Sequence, residues 1–263
     1  MFPADSKYAH PPSSQEETAK CGKEIPDGRS ARKLRHLGGR AIHSFDLISD
    51  GDVIAVGVSG GKDSLVLAAF LSDLRRRAPV DFKLGAIHLG ADGDGRLKGW
   101  LQGLGLDFIH TDDTPEVEEI AFWRPGGPSP CFACSRVRRN RLFSICRDLG
   151  INRLALGHHL DDAIETMLMN IFHSGRVHGL QARQDLFEGR LSIIRPLFLT
   201  PESLIIRLAA EWSLPVVPKT CPADGHTTRQ EIKELVAGVC ARHPKTYGNL
   251  SASVTALAEP VNG

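Results

Sequence analysis

Val53-Ile54-Ala55-Val56-Gly57-Val58-Ser59-Gly60-Gly61-Lys62-Asp63-Ser64-Leu65 joins an apolar, β-branched run to a small glycine-rich turn. A helix-compatible segment then runs to about Leu74. A strand, a glycine turn and a helix start together make a phosphate-binding geometry. Glycines let the backbone approach an anion, and the free amides at the helix N-terminus point at it. Lys62 adds a point charge, Ser59 and Ser64 add hydroxyl donors, and Asp63 is a candidate metal ligand. Only Gly60-Gly61 precede the lysine, so this is not the G-x-x-x-x-G-K-[ST] pattern. It is not the dinucleotide G-x-G-x-x-G either. The competing reading is an ordinary βα turn that carries Ser, Gly and Lys by chance; six specified residues at one junction argue against it.

Further apolar runs follow at Phe82 to Leu89, Leu106 to His110, Asn152 to Leu156 and Leu191 to Ile194. Helices are expected over Ser30 to Ile48, Leu97 to Leu104, Ser135 to Leu149, the Ile164-Met167-Leu168-Ile171-Phe172 face, Pro201 to Trp212 and Thr227 to Cys240. Ser174 to Gly189 reads as a long polar loop. Strands alternating with helices imply an α/β fold, a doubly wound parallel sheet of about five strands. Ligands then sit outside the carboxyl ends of the strands. Ser59 to Asp63, His88 and His110 all fall there; Ser64, Gly157 and His158 join Ser59 to Asp63 and His88 as candidate ligand contacts. Residues 1–29 are polar and proline-punctuated and read as a disordered extension, 30–249 as the domain, and 250–263 as a flexible tail.

The chain has 263 residues, 41% hydrophobic and 24% charged, with a net charge of +1. That suits one sizeable globular domain, and any nucleic-acid contact must come from local patches. No run approaches the ~20 apolar residues of a membrane span. Met1 to Gln15 carries no apolar signal core, so a cytoplasmic location is expected. Six cysteines, two of them in Cys131-x-x-Cys134, favour a metal or redox role over a disulfide framework.

Pro125 to Pro130 is a breaker-rich loop that delivers Cys131-Phe132-Ala133-Cys134 to a helix start. No second C-x-x-C completes a zinc site. Cys146 and Cys240 sit at helical positions and read as packing, whereas Cys221 lies between Pro218 and Pro222. The residues alone leave three readings open: an iron–sulfur cluster on three thiolates, zinc, or persulfide chemistry. Arg136, Arg138, Arg139 and Arg141 stud the first turns of that helix. Cations there oppose the macrodipole, which suggests an anionic partner. Arg176, in the polar loop, and Arg195, after the fifth strand, are further RNA-contact candidates. The basic helix with Arg32, Lys33, Arg35 and Arg40 is another. Gly157-His158-His159-x-Asp161-Asp162 lies at a strand end, where Asp161 or Asp162 could hold Mg²⁺. Acidic residues favoured by a helix N-terminus are the plainer account of the same pair.

The Ser59-to-Ser64 string resembles the PP-loop of ATP pyrophosphatases, which cleave ATP between the α and β phosphates and adenylate a substrate. From about Ser30 to Pro244, the motifs SGGKDS, PCFACSRVRRNRLF, LALGHHLDDAIETMLMNIFHSG, IIRPL and a late Cys221 occur in the order seen in the TtcA family of tRNA 2-thiocytidine synthetases. That resemblance implies ATP with Mg²⁺, catalytic roles for Lys62, Asp63, Asp161 and Asp162, and a [4Fe-4S] cluster on Cys131, Cys134 and Cys221. It implies a tRNA substrate, with cytidine 32 of the anticodon loop adenylated at its C2 oxygen and then thiolated. It also implies a sulfur donor, either a cysteine desulfurase or sulfide, and a homodimer. The chain departs from the family pattern at Leu160, usually Arg, and at Pro222-Ala223-Asp224-Gly225-His226, usually Gly-Ser-Gln-Pro-Asn. A lysidine synthetase would need no cysteine cluster, and the thiouridine relatives with paired zinc fingers lack a match here. A sulfur-removing cluster enzyme would need no ATP, and a binding module without turnover would need no intact SGGKDS.

Overall fold

The computed structural model describes residues 25–90, 95–111, 130–217 and 228–258, and of 130–134 the backbone alone. Six strands form one sheet in the order β3-β2-β1-β4-β6-β5. They are β1 (Val53–Val58), β2 (Lys83–Leu89), β3 (Asp107–Thr111), β4 (Arg153–Ala155), β5 (Arg183–Leu186) and β6 (Leu191–Ile194). The first four and β6 are mutually parallel, and β5 pairs antiparallel with β6. The expected all-parallel sheet of about five strands is therefore a mixed sheet of six. The extra strand lies in the stretch read as polar loop. Its Arg183 and Asp185 pair with each other at 2.9 Å on the sheet edge, where charged side chains stay in water and erase the apolar alternation.

Helices α1 (Arg29–Ser44), α2 (Lys62–Arg77), α3 (Arg96–Gly103), α4 (Pro130–Asp148), α5 (Leu160–Ser174), α6 (Glu202–Glu211), α7 (Thr228–Arg242) and α8 (Thr246–Ala258) complete the described chain. Two cores separate the layers. One packs α1, α2, α5 and α6 against the sheet through residues such as Leu34, Phe70, Ile164, Phe198 and Ile205. The other packs α4 through Ile145, Cys146 and Leu149 against Ile87, Ile109 and Leu154. The centre of α2, Leu65 to Leu71, is buried throughout, as expected for a helix held against the central strand. Residues 250–258, read as tail, are helical instead, with Val254 and Ala258 buried.

β1 is flanked by β2 on one side and β4 on the other, so the strand order reverses between β1 and β4. The crevice outside the carboxyl ends at such a switch point is where open α/β sheets bind ligands. Both motif-bearing turns, 59–61 after β1 and 156–159 after β4, open into it.

Candidate active site

The turn after β1 is built from its own small side chains. Gly60 takes φ +81°, a backbone state that favours glycine. Ser64 Oγ donates to the Gly61 carbonyl at 2.9 Å and accepts from the Ser59 amide at 3.2 Å. Ser59 Oγ accepts from the Gly61 amide at 3.3 Å. Helix α2 then starts at Gly61 with no side chain capping it. An uncapped N-terminus carries unpaired amides and a partial positive charge, and it is the feature an anion fills.

Charged groups from three helices, α2, α6 and α7, surround that turn. Lys62 Nζ donates to Glu202 Oε1 at 3.0 Å and lies 3.0 Å from Asp63 Oδ1. The second contact is an ion pair whose angles make no hydrogen bond, so Asp63 Oδ1 is buried without a hydrogen-bond partner. Glu202 also accepts from Lys233 of α7 at 2.6 Å. Burial alone would raise the Glu202 carboxyl, but the bonds from Lys233 and Lys62 outweigh it and hold it down to about 2. Burial likewise opposes the charge on Lys62, and Asp63 and Glu202 together raise it.

The turn after β4 is organised differently. His159 caps α5: its Nδ1 accepts from the Asp162 amide at 3.5 Å while Asp162 Oδ2 accepts from the His159 amide at 3.0 Å. The His159 ring is ringed by carboxylates, with Nε2 3.8 Å from Asp63 Oδ1 and 3.5 Å from Asp162 Oδ2, and Nδ1 3.7 Å from Asp161 Oδ2. Asp161 Oδ2 accepts from the Glu202 amide at 2.7 Å and from Tyr247 Oη at 3.1 Å. It thereby docks α6 and α8. Burial and the Asp161 charge push the Tyr247 phenol up, so it stays a donor. Asp161 and Asp162 thus each have structural partners, as a helix N-terminus would give them. Asp63 Oδ1, ion-paired with Lys62, is the oxygen of the three carboxylates that is buried and accepts no hydrogen bond. Gly157 lies against α2: a Cβ there would sit 2.9 Å from both Asp63 C and Ser64 N.

His158 and Arg195 meet beside this turn. Arg195 Nε donates to His158 Nδ1 at 3.3 Å, and Nη1 donates to the Gln181 carbonyl at 2.6 Å. Burial, with Arg195 beside it, pushes the His158 imidazole down to about 4, so it is neutral and can accept. Burial, then the Arg139 charge, pushes Arg195 down to about 10. Arg195 is buried within the crevice, unlike the exposed Arg136, Arg138 and Arg139 on α4 and the exposed Arg176 after α5. His88 is buried behind the loop, with Nδ1 2.8 Å from the Val58 carbonyl, a spacing that makes Nδ1 the donor. On α1, Arg35 is bound to Asp73 at 2.7 Å and Asp27 at 2.6 Å, so that position serves packing.

The side chains of Cys131 and Cys134, and all of Cys221, lie outside the described residues. The backbone places 131 and 134 in the first turns of α4, one helical turn apart. The chain on either side of 218–227 is bonded to the switch-point crevice. Before it, the Val217 amide donates to the Gly60 carbonyl at 3.0 Å. After it, Arg229 donates to Asp162 Oδ1 at 3.3 Å and Lys233 holds Glu202. No local pattern marks Glu202, Arg229, Lys233 or Tyr247, because each gains its partner through the fold. Pro201-Glu202 at a helix start was the one local hint, an acid where the dipole favours it.

A glycine loop and an open helix N-terminus at the β1–β4 switch point, with Lys62 and Asp63 at its mouth, define an ATP-binding PP-loop site on an adenine-nucleotide-binding-like sheet. The PP-loop domain pattern matches residues 133–237. The tRNA-cytidine(32) 2-sulfurtransferase of Pelobacter propionicus is 41% identical over 211 residues, 78% of this chain and 78% of that one. The enzyme of the same name from Geobacter sulfurreducens is 38% identical over 233 residues, 86% of this chain and 90% of its own. The chain belongs to this TtcA-type family of ATP-dependent tRNA 2-thiocytidine synthetases. Among solved structures, it is similar to the U34-tRNA thiolase NcsA from Methanococcus maripaludis with its [4Fe-4S] cluster. The TM-score is 0.67 at 26% identity, covering 89% of this chain and 79% of that one. No helix among the described residues is long and apolar enough to cross a membrane.

Proposed function

We propose that the chain adenylates the C2 oxygen of cytidine 32 in a tRNA anticodon loop and replaces that oxygen with sulfur, at the expense of ATP cleaved to AMP and pyrophosphate. The observation that carries this reading is the meeting, at one crevice, of the uncapped PP-loop helix with both anchors of the segment holding Cys221. Adenylation makes the oxygen leave as AMP. The loop amides and Lys62 bind and orient the triphosphate, and their fixed charges favour the transition state over the ground state.

The donor the crevice offers Mg²⁺, a hard cation that takes carboxylate oxygens, is Asp63 Oδ1, which accepts no hydrogen bond and which Lys62, 3.0 Å away, would share with the metal. Held there, Mg²⁺ would neutralise phosphate charge. Cys131 and Cys134, one turn apart on α4, fit a cluster completed by Cys221, whose flanks reach the same crevice. Held by these three thiolates, such a cluster would supply the sulfur-transfer chemistry. Arg136, Arg138, Arg139 and Arg176 face water and suit phosphates of the tRNA, while buried Arg195 suits an anion inside the crevice. The sulfur source in this reading is a cysteine desulfurase or sulfide, and the working unit is a homodimer.

Protein purified without oxygen, given tRNA, ATP, Mg²⁺ and sulfide, should release pyrophosphate and form 2-thiocytidine. Cys131→Ala should keep pyrophosphate release and lose thiolation. Thiolation by Cys131→Ala would overturn the role of the cysteines.

A further inference from the structure

Lys62 is the charge that meets the triphosphate, and a lysine side chain is long and loses much rotamer freedom when it is fixed. In this protein it is not left free. Its ammonium donates to Glu202 at 3.0 Å, 140 residues away in sequence, on the first residue of α6. Glu202 is held from two further sides. Lys233 of α7 donates to its other oxygen at 2.6 Å, and Asp161 accepts its backbone amide at 2.7 Å. Asp161 in turn receives Tyr247 Oη at 3.1 Å. A carboxylate braced in this way presents one oxygen to Lys62 in a single place. An ammonium has three donors, so the bond to Glu202 leaves donors for phosphate oxygens.

We propose that Glu202, braced by Lys233 and by the Asp161 cap on its own amide, is a positioning residue that fixes the Lys62 ammonium at the mouth of the nucleotide loop. The role rests on the ATP chemistry proposed above, since it is that reaction Lys62 serves. It acts through pre-organisation: the flexible lysine is ordered before ATP arrives, so the binding and reacting geometry does not carry that entropy. Glu202 touches no substrate in this scheme. Its two lysines also explain why a carboxylate stands beside an anion site: each of its oxygens is bound by an ammonium, at 3.0 Å from Lys62 and 2.6 Å from Lys233, which offsets its charge.

Two measurements test this on the full chain. The first is heteronuclear NMR of the lysine ammonium groups without nucleotide. A resolved Lys62 Nζ signal, identified by its absence from Lys62→Met, is expected in wild type and should vanish in Glu202→Gln, a near-isosteric change that keeps the helix start. An unchanged signal overturns the proposal. The second is a single-turnover cycle of pyrophosphate release with tRNA and saturating ATP. Glu202→Gln should slow release by about tenfold. In the Lys62→Met background the same change should have less than about a twofold effect, because its target is gone. Equal losses in both backgrounds would mark a structural role and overturn the proposal. Lys233→Met should show the same pattern with a smaller loss. If wild type releases no pyrophosphate with tRNA, the reading of the reaction fails, and the ammonium signal alone then decides the role of Glu202.

Discussion

Two strand-to-helix turns stand side by side at the switch point, and they end in opposite ways. After β1, α2 begins at Gly61 with no side-chain cap. After β4, α5 begins at His159 with a reciprocal capping box to Asp162. Both turns are glycine-containing and both helices carry acid in the first turn, so in composition they look like equivalent anion or metal sites. The difference lies in what the amides have already been given. A capping box satisfies the donors an anion would need. An uncapped end leaves them for a ligand. The first turn is therefore the nucleotide end. The second turn has given its donors to a cap, and it holds α5, α6 and α8 in place around the first through Asp161, Asp162 and Tyr247.

The largest effect that can break this contrast is a pair of aspartate substitutions. Asp63→Ala removes the buried oxygen that accepts no hydrogen bond and should lower pyrophosphate release by about 10³-fold with the fold intact. Asp161→Ala leaves the Glu202 amide and Tyr247 Oη without their acceptor and should lower stability by about 1–3 kcal/mol. Its turnover at a temperature where it is folded should fall by much less than that of Asp63→Ala. Denaturant midpoints alongside single-turnover rates separate the two. An Asp161→Ala protein of normal stability and negligible turnover would make Asp161 a metal ligand after all and dissolve the contrast.

The two turns also touch, and a smaller change at the contact sharpens how they differ. A Cβ on Gly157 would lie 2.9 Å from Asp63 C and Ser64 N, both backbone atoms. Backbone cannot swing aside as a side chain does, so Gly157→Ala should displace the first turn of α2 by several tenths of an ångström. Overpacking of this kind costs about 1–3 kcal/mol. Pyrophosphate release should fall by about tenfold to a hundredfold, since small misplacements of positioning groups are expensive. A variant destabilised by that amount but fully active would show that the nucleotide turn tolerates movement and is not pre-organised.

The contrast also explains what could be read from the sequence. β1, its loop and α2 were legible because one contiguous stretch carries the strand, the φ-positive glycine and the buried helix face. Asp161 and Asp162 were legible both as metal ligands and as acids of a helix start, because the same pair suits either; the reciprocal cap with His159 and the bonds to Glu202 and Tyr247 needed the fold. β5 was hidden by Arg183-Gln184-Asp185, an edge strand whose charges face water. α8 was hidden by its own residues. Gly248, Asn249, Ser251, Ser253 and β-branched Val254 and Thr255 are poor helix formers, overridden by the Tyr247 bond and by burial of Val254 and Ala258. Glu202 was out of reach because its partners at Lys62 and Lys233 are remote in sequence.

The smallest expected effect lies where the capped helix meets α7. Glu165 is buried on α5, faced by Asp162 of the same helix, by Arg229 and Lys233 of α7 and by Glu202 of α6. Arg229 Nε lies 3.5 Å from Glu165 Oε2. Burial first, then the Asp162 charge, raises the Glu165 carboxyl from 4.5 to about 7 against the opposing pull of Arg229 and Lys233. A carboxyl raised in the folded state binds more protons there than in the unfolded chain, so stability falls as pH climbs from the unfolded value through about 7. Above that window the whole cost of the buried charge is present, and below it none is. Glu165→Gln should therefore raise the melting temperature by a few degrees at pH 8 and leave it unchanged at pH 4. No gain at pH 8 would mean that Arg229 and Lys233 already neutralise Glu165. The acid cluster on the capped helix would then be a balanced ion network, and its carboxylates would have no surplus charge to offer a cation.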